Sequence, residues 1–150
     1  MDDVPRANCN TVYRIGEIYL MNFDGEQSEQ CGMRPGLVFQ NNTENHYSPN
    51  IIALPLTTSI KKLCQPTHVL IRSSNSGLKR DSIILCENPE RMSKERIGRY
   101  ITTLSDEQMS EVAAASLLAS SSISYLKPDD LIVLWKKAVS LNGSAQIYSA

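Results

Sequence analysis

The chain has 150 residues, a formal net charge of −1, 41% hydrophobic residues and 6% aromatics. These values suit one globular domain and exclude a uniformly basic nucleic-acid binder, a low-complexity polymer and a disulfide-dense miniprotein. The longest apolar runs, "NIIALPL" and "DSIILC", are too short to span a bilayer, and the acidic opening "MDDVPRANCN" has no apolar core of a signal peptide, so a cytoplasmic protein without a membrane partner is expected.

Residues 1–11 are polar, show no periodicity and read as a loose arm. "GEIYLMNF" (16–23) sets Ile18 and Leu20 in alternation with Tyr19 and Met21, which predicts a first strand. "DGEQSEQCGM" (24–33) carries two glycines among polar residues and reads as a loop with freedom to move. "RPGLVFQ" (34–40) predicts a second strand with Pro35 near its start, where a missing N–H is tolerated. "NNTENHYSPN" (41–50) reads as another polar loop. "IIALPLT" (51–57) predicts a third strand whose internal Pro55 argues for an edge or a bulge. "THVLIR" (67–72) and "SIILCE" (82–87) predict two further strands joined by a Ser/Asn/Gly turn, and "RYITTL" (99–104) a short strand or turn.

The chain then changes character. Ser105 with Gln108 three residues on forms a capping box, followed at helical spacing by Met109, Val112, Ala113 and Leu117. A second helix is expected over 129–141, opened by Pro128, Asp129 and Asp130 and stopped by Asn142-Gly143. Strands first and helices last predict a compact, mainly antiparallel barrel or rolled sheet with helices packed on it.

The usual catalytic signatures are missing: there is no Walker loop, GxSxG, HExxH or dinucleotide fingerprint. The four cysteines, Cys9, Cys31, Cys64 and Cys86, form no CxxC pair, and His46 and His68 complete no close ligand set, so reduced thiols and no metal site are expected. His68 lies inside a strand pattern and reads as a structural histidine. What remains is a set of polar residues at strand ends and loop mouths: Glu29 and Gln30, Arg34, Thr57 with Thr58, and Glu87. An arginine fork and a threonine hydroxyl held by rigid strand ends suit a phosphate. Arg34 in a salt bridge with Glu29 or Glu17, and Thr57 as an ordinary strand former, are equally open readings of the residues alone. Charge is unevenly spread: residues 61–99 hold nine Lys and Arg against Asp81, Glu87, Glu90 and Glu95, a net +5, while residues 1–33 carry −4. A local basic surface for phosphates, or solvated charge on loops, follows from this.

Taken in order, "GEIYLMNFD", "SEQCGMRPGLVFQNN", "NHYSPNIIALPLTTSIKKL", "PTHVLI", "GLKRDSIILCE" and "LSDEQMSEV" resemble the MazF/PemK family of toxin endoribonucleases from about Arg14 to Leu118. The resemblance implies an SH3-like barrel of the CcdB/PemK/MazF type with appended helices, acting as a homodimer. It divides the chain into an arm (1–13), a toxin domain (14–126) and a helical extension (127–150). It also implies cleavage of single-stranded RNA without metal or cofactor. The ribose 2′-hydroxyl would attack the neighbouring phosphorus and leave a 2′,3′-cyclic phosphate and a 5′-hydroxyl, and a cognate antitoxin would neutralise the enzyme.

Within that resemblance Arg34 falls on the family's catalytic arginine, Thr57 on its catalytic threonine and Glu29 on the acidic residue of the "SEQ" loop. The reaction needs a base near the 2′-hydroxyl, positive charge on the phosphorane and a donor to the leaving 5′-oxygen. Glu29 is expected as the base, Arg34 as phosphorane stabiliser and Thr57 as holder of a non-bridging oxygen. Ser28, Gln30, Asn41, Asn42, His46, Tyr47, Thr58 and Asn88 are the candidate RNA contacts, with Tyr47 read either as a stacking platform or as a core residue. Two departures stand out. Asn88-Pro89-Glu90 replaces the family's glutamine, apolar residue and arginine after Glu87, with Arg91 one place late, and Gly36 replaces a β-branched residue in strand two. The non-enzymatic alternatives are an inactive homologue that binds RNA or a partner, and a CcdB-like gyrase poison.

Overall fold

A computed structural model describes residues 11–23, 32–59 and 65–146. Its strands are β1 (Glu17–Asn22), β2 (Met33–Val38), β3 (Asn50–Thr57), β4 (His68–Ile71), β5 (Ser82–Leu85), β6 (Glu90–Ser93) and β7 (Ile97–Thr103). Its helices are α1 (Asn42–Tyr47), α2 (Asp106–Ser120) and α3 (Pro128–Gln146). The strands form one antiparallel sheet in the order β4-β5-β3-β2-β1-β7, with β6 also on β3. The sheet rolls without closing. Its core is double because β1 to β3 are apolar on both faces. Ile18, Leu37, Leu54 and Leu56 face one cluster, which Val112 and Ala115 of α2 cover. Tyr19, Met21, Val38 and Ala53 face the other, with Ile51, Met92 and Ile97. The alternation of Ile18 and Leu20 with Tyr19 and Met21 is thus a strand buried on two sides. Register shifts against β7 at Ile18/Tyr19 and Tyr19/Met21 add the local twist that curls the sheet.

Pro55 stands where its lack of an N–H does no harm. On one edge of β3, Asn50 to Ala53 pair with β6 and Leu56 and Thr57 pair with β5, so Pro55 falls at the handover. The capping box at α2 forms as expected, with Gln108 N donating to Ser105 Oγ and Ser105 N donating to Gln108 Oε1.

Four expectations are corrected. Residues 42–47 form a helix inside the stretch read as loop, capped by Asn41, whose Oδ1 accepts from Glu44 N. Its buried side is polar rather than apolar, held by Asn45 Nδ2 donating to Gln40 O and Ile15 N donating to Asn42 Oδ1, so no hydrophobic period marks it. The short strand β6 is new, with a single buried side chain, Met92, to betray it. β7 begins two residues before the expected "RYITTL" segment. Finally, α3 runs through Asn142-Gly143 to Gln146, because Asn142 Oδ1 accepts from Asn42 N and Leu141 O accepts from Thr43 Oγ1, anchoring that end of the helix on α1.

Candidate functional site

Arg34 and Thr57 sit on neighbouring strands whose register brings them to the same place. Gly36 pairs with Pro55, Leu37 with Leu54 and Val38 with Ala53. Continued two residues toward the start of β2, that register sets Arg34 opposite Thr57. Both then belong to the face that carries Met21, Arg34's partner on β1. Arg34 is exposed and Thr57 half-buried, so the guanidinium and the hydroxyl stand at the open end of a packed face. Thr57 Oγ1 accepts from Ser59 N at 3.2 Å, which ties down the chain as it leaves β3 and keeps the hydroxyl proton as a donor.

Gly36 makes this end of β2 fit. A Cβ there would lie 2.6 Å from Met21 Sδ and 2.7 Å from Phe23 Cζ. The glycine that departs from the family pattern is therefore a space-filling exchange, in which Met21 and Phe23 occupy the room a branched side chain would take.

Around the same end of the sheet, on the opposite face, lies a groove of about 330 Å³ lined by Pro35, Thr58, Lys79, Arg80, Arg99 and the apolar Leu20 and Ile101, among others. Pro35 and Thr58 adjoin Arg34 and Thr57 in sequence, so the groove and the strand-end pair share one end of the sheet on its two faces. Three cations from two elements meet in the groove because of Gly77. Its φ of +76° and the 3.0 Å approach a Cβ would make to Thr102 Oγ1 press the β4–β5 connection onto β7, which carries Arg99. Asp81, between Arg80 and Ser82, turns away: its Oδ1 accepts from Ser73 N at 2.7 Å and Ser73 Oγ at 3.0 Å. Those bonds, the backbone one first, hold its carboxyl below the usual range. The groove keeps its positive charge.

The other expected residues divide clearly. Ser28, Glu29 and Gln30 lie outside the described residues, as do Cys9, Cys31 and Cys64. Thr58 lines the groove. Asn88 is in the link between β5 and β6, the two strands that share an edge of β3, and its N donates to Leu85 O. Asn41, Asn42, His46 and Tyr47 are not brought to this place. They belong to α1, which joins the far ends of β2 and β3, seven residues or roughly 23 Å of strand from Arg34 and Thr57. Asn42 is buried and its amide is committed to Ile15, whereas Tyr47 is exposed and packs edge-on against His46.

Lys79, Arg80 and Arg99 were legible only as part of the basic 61–99 segment; that these three converge depends on the Gly77 turn. His68 is structural: its buried ring Nε2 lies 2.7 Å from Glu87 Oε1. Burial is the largest single influence and disfavours the Glu87 charge, but the His68 hydrogen bond, a backbone bond, attraction to His68 and a Thr67 hydrogen bond together outweigh it and hold the carboxyl below its ordinary range. Cys86 is a free, buried thiol pushed up by burial. Among the described residues no three His, Cys, Asp or Glu side chains form a metal-holding group, and no helix is long and apolar enough to cross a membrane.

An open, rolled antiparallel sheet with appended helices and a cationic groove at the end that carries Arg34 and Thr57 places the chain among small, mainly β proteins with helices packed on one sheet. Residues 14–118 match the family described as PemK-like, MazF-like toxins of type II toxin-antitoxin systems, and the chain belongs to that family. It is 43% identical over 100 residues to a protein named Endoribonuclease MazF from Staphylococcus saprophyticus subsp. saprophyticus, covering 66% of this chain and 83% of that one. The fold is shared with a MazE–MazF structure from Deinococcus radiodurans, at TM-score 0.63 and 20% identity over 75% of this chain and 99% of that one. It is shared too with an endoribonuclease from a mycobacterial species, at TM-score 0.62 and 21% identity over 74% and 93%.

Proposed function

We propose that this chain is a cytoplasmic endoribonuclease toxin that cuts single-stranded RNA selectively, using its own side chains and no metal ion. The observation that carries the reading is the shared register position of Arg34 and Thr57, beside the groove of Lys79, Arg80 and Arg99. The groove cations hold the RNA backbone and bring one phosphate round the end of the sheet. Arg34 then supplies positive charge to the pentavalent phosphorus, while the Thr57 hydroxyl donates to a non-bridging oxygen. The 2′-hydroxyl attacks the adjacent phosphorus and its proton passes to a base, while the P–O5′ bond breaks and the leaving 5′-oxygen takes a proton from water. Glu29 is the proposed base, on the strength of the family's "SEQ" loop. Arginine remains charged in proteins, which makes Arg34 a stabiliser rather than a proton donor. Ser28, Gln30, Thr58 and Asn88 are the proposed base-reading contacts.

The functional unit is a homodimer, and the domain is residues 14–126, between an arm (1–13) and the 127–150 extension. The cationic groove also suits the acidic segment of a cognate antitoxin, which would silence the enzyme by occupying the RNA track.

The test is cleavage of a long RNA in EDTA by the purified protein, with fragment ends mapped. Wild type cuts at a recurring short sequence and leaves 2′,3′-cyclic phosphate and 5′-hydroxyl ends. Arg34→Ala and Thr57→Ala each slow it by about 10²–10³-fold, as loss of one transition-state contact does. Cleavage that persists in both variants, or that needs magnesium, overturns the mechanism. Binding without cleavage by wild type would favour the inactive-homologue alternative.

A further inference from the structure

The helix α3 carries an apolar stripe that the other described residues leave uncovered. Its packing partner is α1, of six residues against nineteen, so at 1.5 Å per residue α1 spans about a third of its length. The anchoring bonds are at the far end, at Leu141 and Asn142. Ahead of that anchor Ile132, Trp135 and Val139 follow at i, i+3 and i+7, the spacing of a helix-pairing seam. They are 60%, 66% and 51% exposed, more so than Leu131, Leu134 and Leu141 at 38%, 45% and 40%. Asp129 and Lys136 are seven residues apart and flank the stripe on one side.

We propose that this stripe is a self-pairing surface, on which α3 of one copy lies antiparallel to α3 of a second copy of this chain. The argument for that occupant is charge. With the two-fold axis between residues 133 and 134, Ile132 meets the partner's Trp135, and Asp129 comes beside the partner's Lys136, twice by symmetry. A helix with an acid at one end of the stripe and a base one heptad on is complementary to itself only in the antiparallel sense. The stripe offers roughly 300–400 Å² of apolar surface per copy, below the ~800 Å² per partner of a standard interface, so the pairing is weak and concentration-dependent. The Leu141 and Asn142 end of α3 is anchored on α1, which joins the ends of β2 and β3 away from Arg34 and Thr57. The stripe lies outside residues 14–118, which match the toxin family, and its pairing doubles whatever assembly residues 14–126 form.

Trp135 is the single tryptophan of the chain, so its emission reports the stripe directly. In the full-length protein, raising the concentration is expected to shift Trp135 emission to the blue and to double the sedimenting mass with the same midpoint. Asp129→Lys and Lys136→Glu, each turning two opposite-charge contacts into like-charge ones, are expected to weaken the association about tenfold. An equimolar mixture of the two variants restores it. In the mixed pair one contact is the native Asp129 with Lys136, and the other joins the two introduced charges, which are of opposite sign. Circular dichroism of each variant checks that α3 remains helical. Emission and mass that do not change with concentration overturn the proposal and leave the stripe to a different partner, such as an antitoxin segment. A mass change without an emission change, or a mixture no tighter than either variant alone, overturns it as well.

Discussion

Glu87 and His68 illustrate how one residue pair can be mistaken for part of a site. Each is a titratable group near a strand end, which is where catalytic groups are often placed. The structure spends them on each other, at 2.7 Å, with the His68 side chain buried. The folded-state pKa of Glu87 lies below its ordinary 4.5, so its contribution to stability is complete above that value and is lost as pH falls through the lower folded-state value. Glu87→Gln is therefore expected to flatten the acid side of the stability curve while leaving its slope near neutrality unchanged, as read from urea midpoints at a series of pH values. Arg34 and Thr57 stood out in the sequence as candidates because each ends or opens a strand in a motif of fixed order. Asn42 was not: an asparagine in a polar stretch looks the same whether its amide faces a base or caps Ile15 N, and only the fold shows that it does the latter.

At the scale of elements, the strands other than β6 were legible through their apolar alternation, and α2 through its capping box. α1 was not, because its buried face consists of asparagines satisfied by hydrogen bonds, and a search for apolar periods passes over it. The end of α3 failed for a related reason. Asn-Gly is a stop signal in an isolated helix, but a tertiary contact from Asn142 to α1 offsets the roughly 1 kcal/mol that an interior glycine costs. Gly36 in β2 is the element-level departure with a measurable consequence. Gly36→Val, which restores the family's branched residue, is expected to destabilise the domain by about 1–3 kcal/mol by driving Met21 and Phe23 from their positions. Most of that loss returns when Phe23 is shortened to Leu in the same chain, as a double-mutant cycle in chemical denaturation would show.

For the whole molecule, a near-zero net charge conceals a local electrostatic surface, made when the β4–β5 connection folds against β7 and collects Lys79, Arg80 and Arg99 in one groove. If those three cations track RNA, the affinity for a single strand should fall with salt. Replacing all three with alanine should reduce the slope of log K against log salt by about 2, since each single-strand phosphate contact contributes about 0.7. An unchanged slope in filter-binding assays would remove the groove from the RNA track.

The amino-acid sequence by itself determined the family, the strands other than β6 and the helices α2 and α3, and it singled out Arg34 and Thr57 as candidates, because these depend on local patterns and on motifs whose order along the chain is specific. Only the tertiary structure decided which candidates share a place. Strand register set Arg34 against Thr57 and sent α1 to the opposite end, and a glycine turn brought three cations together. Register and turn geometry are fixed by packing between distant segments, and no local pattern contains them.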